Sequence, residues 1–246
     1  MQSFFAGVKI NVLIIAIVSY CVQLRFSKNL AVFHVDMDHL ERKPLSSRGI
    51  RRRPEESLDW MNLMCVLYPS LLEITYLMRN IMPLSNLIQI YFSLFESHIR
   101  YGLFLWGNCT KIDIILKQQK AILRIFNNSN ARESCRPLFK KYGVLTVINL
   151  YILDVILYVA KNVSVYNNRC NIHSYSTRNN CNLEVPFCRL TKTMNNFYIL
   201  GQQLYNRLPF KLRVQPIKII KEKLISWLQK NPFYDLQEFL DCKPCG

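Results

Sequence analysis

From residue 70 onward the apolar residues of this chain recur at three- and four-residue steps, the spacing that gathers them on one side of a helix. In LSNLIQIYFSLFESHIRYG, Leu84, Leu87, Ile88, Tyr91, Leu94, Phe95 and His98 fall on such a stripe. Ser85 is placed to cap its start and Gly102 to end it. On that phase His98 is a core imidazole needing a hydrogen-bond partner, while Glu96 and Arg100 point away from the stripe. Ser97 and His98 are sequence neighbours, so on a helix they diverge and form no nucleophile–base pair. In TKIDIILKQQKAILRIF, Ile112, Ile115, Leu116, Ile122, Leu123 and Phe126 make a buried face, and Thr110 with Asp113 has the spacing of a capping box.

The later segments follow the same rule. ESCRPLFKKYG reads as a short helix with Pro137 in its first turn and Gly143 closing it. TVINLYILDVILYVAKN is apolar nearly all round, with Asp154 as its lone charge before the terminal Lys161. It is too short to span a bilayer and fits the centre of a bundle. Beyond a polar, asparagine-rich connection, Phe197, Leu200, Leu204 and Leu208 share a face until Pro209 interrupts it. Pro216 then opens an amphipathic helix that turns Ile217, Ile220, Leu224, Trp227 and Leu228 inward. Trp106, Tyr151, Tyr158 and Trp227 could stack on bases, but their helical spacing assigns them to the core.

The pattern therefore predicts a mostly α fold, an irregular helical bundle. Its helical body spans residues 61–162, its polar connection 163–194 and its C-terminal helical extension 195–246. Residues 1–60 match this plan poorly. Residues 4–22, FFAGVKINVLIIAIVSYCV, are apolar except for Lys9, Asn11 and Ser19, the composition of a targeting segment or short membrane anchor. Membrane contact through them is the rival expectation. In the linker behind, His34, Asp36, Asp38 and His39 are metal-ligand types without a second half at ligand spacing, and RRRP reads as a basic linker.

Charge sharpens the picture. The chain carries a net +16, and between Lys111 and Asn231 stand 20 basic against 5 acidic side chains. The positive field thus belongs to the helical body and suits a polyanion. Lys117, Lys120 and Arg124 form a stripe at i, i+3 and i+7, able to track a phosphate backbone or simply to face solvent. Nine cysteines, odd in number and irregular in spacing, argue for reduced thiols and a cytoplasmic or nuclear setting. CKPCG at 242–246 is half of a zinc knuckle with no second pair in range. The chain has no glycine-rich phosphate loop, no G-x-S-x-G and no Asp-Asp pair, so no cofactor, no resident metal and no small-molecule substrate is expected.

YFSLFESHIRYGLFLWGN resembles the YF-x-x-F-x-SH-x-x-YG-x-x-x-WG segment that follows the polymerase core in reverse transcriptases of non-LTR retrotransposons, especially the jockey-like group. LKQQKAILRI, CRPLFKKYGVLTVINLYILDVILYVAKN, HSYSTRNN, LPF and WLQK agree with that family in order and spacing, so the likeness covers roughly residues 62–240. It implies a helical thumb and its extension, which grip a template–primer duplex by charge and shape. By analogy Lys117, Lys120 and Arg124 face nucleic acid, with Arg132, Arg136, Lys140 and Lys141 as second candidates. The aspartate-bearing YADD or FADD turn that holds the two catalytic metals of such enzymes has no counterpart in this sequence. The expectation is a non-catalytic remnant of a reverse transcriptase that retains non-specific binding to an RNA–DNA or DNA duplex. The alternatives are a membrane-anchored or secreted chimeric product, or a translated relic without function.

Overall fold

The structure, a computed structural model, describes residues 72–169, 181–190, 194 and 196–242. Of these, 68% are helical and none lies in a strand, so the chain is mostly α as its spacing predicts. The apolar segment 4–22, the histidine–aspartate cluster at 34–39, the boundary near residue 60, the HSYSTRNN motif and Cys245 lie outside the described residues.

Residues 72–79 are helical. Then come α1 (Leu84–Ile90), a π-helical turn (Tyr91–Glu96), α2 (Ser97–Arg100), α3 (Leu103–Trp106) and the long α4 (Ile112–Asn127). The short α5 (Arg136–Tyr142) leads into α6 (Val147–Lys161). After the connection follow α7 (Phe197–Asn206), α8 (Phe210–Arg213), α9 (Ile217–Lys230) and α10 (Leu236–Asp241). An isolated antiparallel bridge joins Asn168 to Leu183 at the foot of the connection.

Helix α6 is the axis of the bundle, with α3, α4, α7 and α9 packed against it. Its residues Val147, Leu150, Ile152, Val155, Ile156 and Val159 are completely enclosed. A helix apolar nearly all round can only be accommodated in this way. Its start is fixed by Thr146, whose hydroxyl accepts from the Asn149 N–H at 3.1 Å and donates to the Phe233 carbonyl at 2.8 Å. Asn149, one turn on, donates its amide to the carbonyls of Leu228 and Asn231 at 2.8 and 3.0 Å, and its oxygen accepts from the Phe233 N–H. Gln119 of α4 bonds Tyr91, the Leu145 carbonyl and the Val147 N–H. These polar residues lock three elements to one axis.

Close backbone approach does the rest. A Cβ on Gly201 of α7 would press on Val155 and Val159, and one on Gly107 would collide with the Tyr151 ring and the Leu103 carbonyl. Gly102 and Gly143 take left-handed backbone angles, φ 67° and 64°, and so end their helices as anticipated.

Several local expectations are corrected. Helix α1 starts directly after Pro83, so Ser85 lies inside it and caps nothing. The N-cap of α4 is Lys111 without a side-chain bond, so the Thr110–Asp113 box does not form, although Asp113 does sit in the positive first turn. The predicted buried face of α4 is present in full. On α9, Ile220, Leu224 and Leu228 are buried, Trp227 is half-buried and Ile217, in the first turn, stays exposed.

The largest correction concerns phase. The π-helical turn inserts one residue beyond the α-helical repeat, and the side chains after it rotate accordingly. Glu96 and Ile99 therefore face inward, whereas the continuous α-helical phase had placed Glu96 outward and His98 on the stripe. His98 is half-buried and lies against the Leu94 carbonyl through Nδ1.

Candidate nucleic-acid interface

The seven basic candidates do not act as one strip. Lys120, Arg124 and Arg136 are drawn together where α4 meets α5, around an aromatic residue from far along the chain. The Lys120 ammonium lies 3.7 Å from the centre of the Tyr234 ring, and the Arg136 guanidinium carbon lies 4.4 Å from it. Such placements attract a cation to the π face. Arg124 stands one turn along α4 and donates through Nη2 to the Glu133 carbonyl at 3.0 Å. Its Nε is shut off from solvent with no hydrogen-bond partner, as is the Tyr234 hydroxyl.

The surroundings work against the charge of Lys120. Burial lowers the Lys120 pKa, and the neighbouring Arg124 and Arg136 push it the same way, against Cys135 and Asp113. Burial, with Cys135 adding to it, pushes the Tyr234 hydroxyl up to about 12. The enclosed Cys135 thiol is raised by burial in spite of Arg124 and Lys120 beside it. Arg136 has one acidic partner, Glu238 of α10, at 2.7 Å.

The remaining candidates stand apart. Lys141 turns to the Asn127 side chain at 2.6 Å, and Lys117, Arg132 and Lys140 are exposed. Tyr234 and Glu238 join the cluster by tertiary packing, and Glu133 by its backbone carbonyl. No local pattern announces them, since Arg136 and Glu238 are 102 residues apart.

A second charged cluster gathers at Asp154 of α6. Arg100 bonds Glu96 and Asp154, each at 3.0 Å, which answers the lone acid of α6. Burial raises both carboxyl pKa values above the ordinary range, and Arg100 pulls them back only in part. Glu96 Oε2 is enclosed without a partner. Ser97 donates to the carbonyls of Ser93 and Leu94, so the polar residues of this stretch are turned onto their own helix.

Among the described residues, no three His, Cys, Asp or Glu side chains converge as a metal site. Cys109, Cys135, Cys181, Cys188 and Cys242 are free thiols. No single described helix is long and apolar enough to cross a membrane. Trp106 and Tyr151 are core residues, while Tyr158 and Trp227 pack edge-on with Phe104, Phe197 and Phe239. No protein-family model, no curated protein and no solved structure matches the chain.

Proposed function

We propose that this helical body is a non-catalytic relative of the post-palm region of non-LTR retrotransposon reverse transcriptases, and that it binds the backbone of a nucleic-acid duplex without reading sequence. One observation carries the reading: Lys120, Arg124 and Arg136 are held together at Tyr234 against their mutual repulsion and, for Lys120, against burial. Like charges brought together at such a cost suit an anionic ligand, and phosphate oxygens complement both ammonium and guanidinium groups. Arg132 and Lys140 are exposed in the neighbouring stretch of chain. The chain's excess of basic over acidic residues from 111 to 231 supplies long-range attraction.

Polymerisation has no counterpart in this reading, since the sequence has no Asp-Asp pair to hold two metal ions. A salt titration tests the binding. Anisotropy of a labelled RNA–DNA hybrid with the full chain should give a logarithmic affinity that falls with log salt by about 0.9 for each phosphate engaged. A flat dependence, or no binding at low salt, defeats the reading. Primer extension with Mg²⁺ tests the catalytic half, and product formation would overturn it.

A further inference from the structure

The cationic face is already partly occupied, and the occupant belongs to the chain. Glu238 Oε1 accepts from Arg136 Nη2 at 2.7 Å, the geometry a phosphate oxygen would take. Its other oxygen accepts from the Tyr234 N–H at 3.1 Å, which ties the carboxylate to the residue on which Lys120 and Arg136 rest.

The segment bearing Glu238 is anchored. Phe233 and Phe239 are buried and pack on Trp227 and on each other, with ring centres 5.5 to 5.8 Å apart. Thr146 and Asn149 grip the Phe233 backbone from α6. Helix α10 therefore does not swing clear to release Arg136. The ion pair itself is open to water, with Arg136 45% and Glu238 38% exposed, so partner exchange at the level of side chains costs little.

Resting on the duplex-binding reading, we propose that Glu238 is a built-in competitor for phosphate, holding Arg136 and lowering the affinity of this face for a polyanion. A duplex gains Arg136 only by displacing the Glu238 carboxylate. Neutralising that one carboxylate adds a phosphate contact.

Glu238→Gln isolates the charge. The glutamine amide still accepts from the Tyr234 N–H, as residues of this type do in the first turn of a helix. Asp241→Asn, on the same helix but bonded to Gln237, serves as the control for net charge. With the full chain and a short fluorescein-labelled RNA–DNA hybrid, E238Q should bind roughly fivefold more tightly at low salt. Its salt slope should steepen by about 0.9, with the unfolding midpoint unchanged. D241N should keep the wild-type slope. An E238Q slope equal to wild type, or an equal gain from D241N, overturns the competitor while leaving duplex binding intact. Absence of binding by wild type and E238Q alike removes both readings.

Discussion

Around α6, three fully enclosed polar residues each have their side-chain groups matched: Gln119 by Tyr91, Leu145 and Val147, Thr146 by Asn149 and Phe233, and Asn149 by Leu228, Asn231 and Phe233. At the α4–α5 face, Arg124 Nε and the Tyr234 hydroxyl are cut off from solvent without a partner, as the Tyr151 hydroxyl and Gln202 Oε1 are in the core, and what sets this face apart is that cations crowd one ring. The contrast separates two uses of polar chemistry. Paired buried polar groups specify one packing, since any slip leaves them unsatisfied. Unpaired groups among like charges do not specify packing; they leave capacity for something from outside.

The sharpest way to break the comparison is at its tightest contact. Gly107→Ala forces a methyl group into the Tyr151 ring, and overpacking of this kind costs about 3 kcal/mol or more, to be read by chemical denaturation. Asn149→Ala comes close behind. It strands the Asn231 carbonyl and the Phe233 N–H and takes one of two donors from the Leu228 carbonyl, with a loss of about 2 to 3 kcal/mol. Neither change should alter the salt slope of duplex binding in the folded fraction. A slope change in N149A would show that the two regions are not separate.

Arg100→Met comes next, at about 2 kcal/mol near neutral pH, since it strips two largely buried carboxylates of their cation. The sign of its pH dependence follows from the raised pKa values of Glu96 and Asp154. In the window above their ordinary values the folded state holds more protons than the unfolded one, so stability falls as pH rises through it. Loss of Arg100 raises both groups further. The deficit of the variant should therefore be greatest at neutral pH and shrink as the pH is lowered toward 5, which denaturation midpoints at several pH values will report. A pH-independent deficit would remove the electrostatic explanation.

The smallest stability effects belong to the cationic face. Lys120→Ala and Arg136→Ala should each change the unfolding free energy by less than about 1 kcal/mol, because both side chains sit at the partly exposed edge. Each should flatten the salt slope by about 0.9. Loss of stability without a change in slope would return these residues to the structural side of the comparison.

The fold was more legible in the sequence than the site, for a physical reason. The stripe on α4 and the apolar belt of α6 are periodic, and burial responds to periodicity directly. Gln119 was overlooked, although its place between Leu116 and Leu123 on the i, i+3, i+7 grid marks it as inward-facing. The cationic cluster was legible only by half. Lys120 and Arg124 are one turn apart on α4, but their meeting with Arg136 and Tyr234 is made by tertiary packing, which leaves no trace in local spacing. The inward Glu96 was misread because a π-helical turn has no signature in composition, and helical arithmetic continued through it as though unbroken.

That turn has a consequence for how the gene can vary. Loss of a single codon between positions 91 and 96 would let the backbone close into an uninterrupted α-helix, locally a comfortable outcome. It would also turn Ile99 and Arg100 by about 100° around the axis, carrying the guanidinium off Asp154 and an aliphatic side chain into water. One surplus residue thus keeps Ile99 and Arg100 in register, and a deletion that looks harmless on paper would break the link from Arg100 to Asp154 of α6.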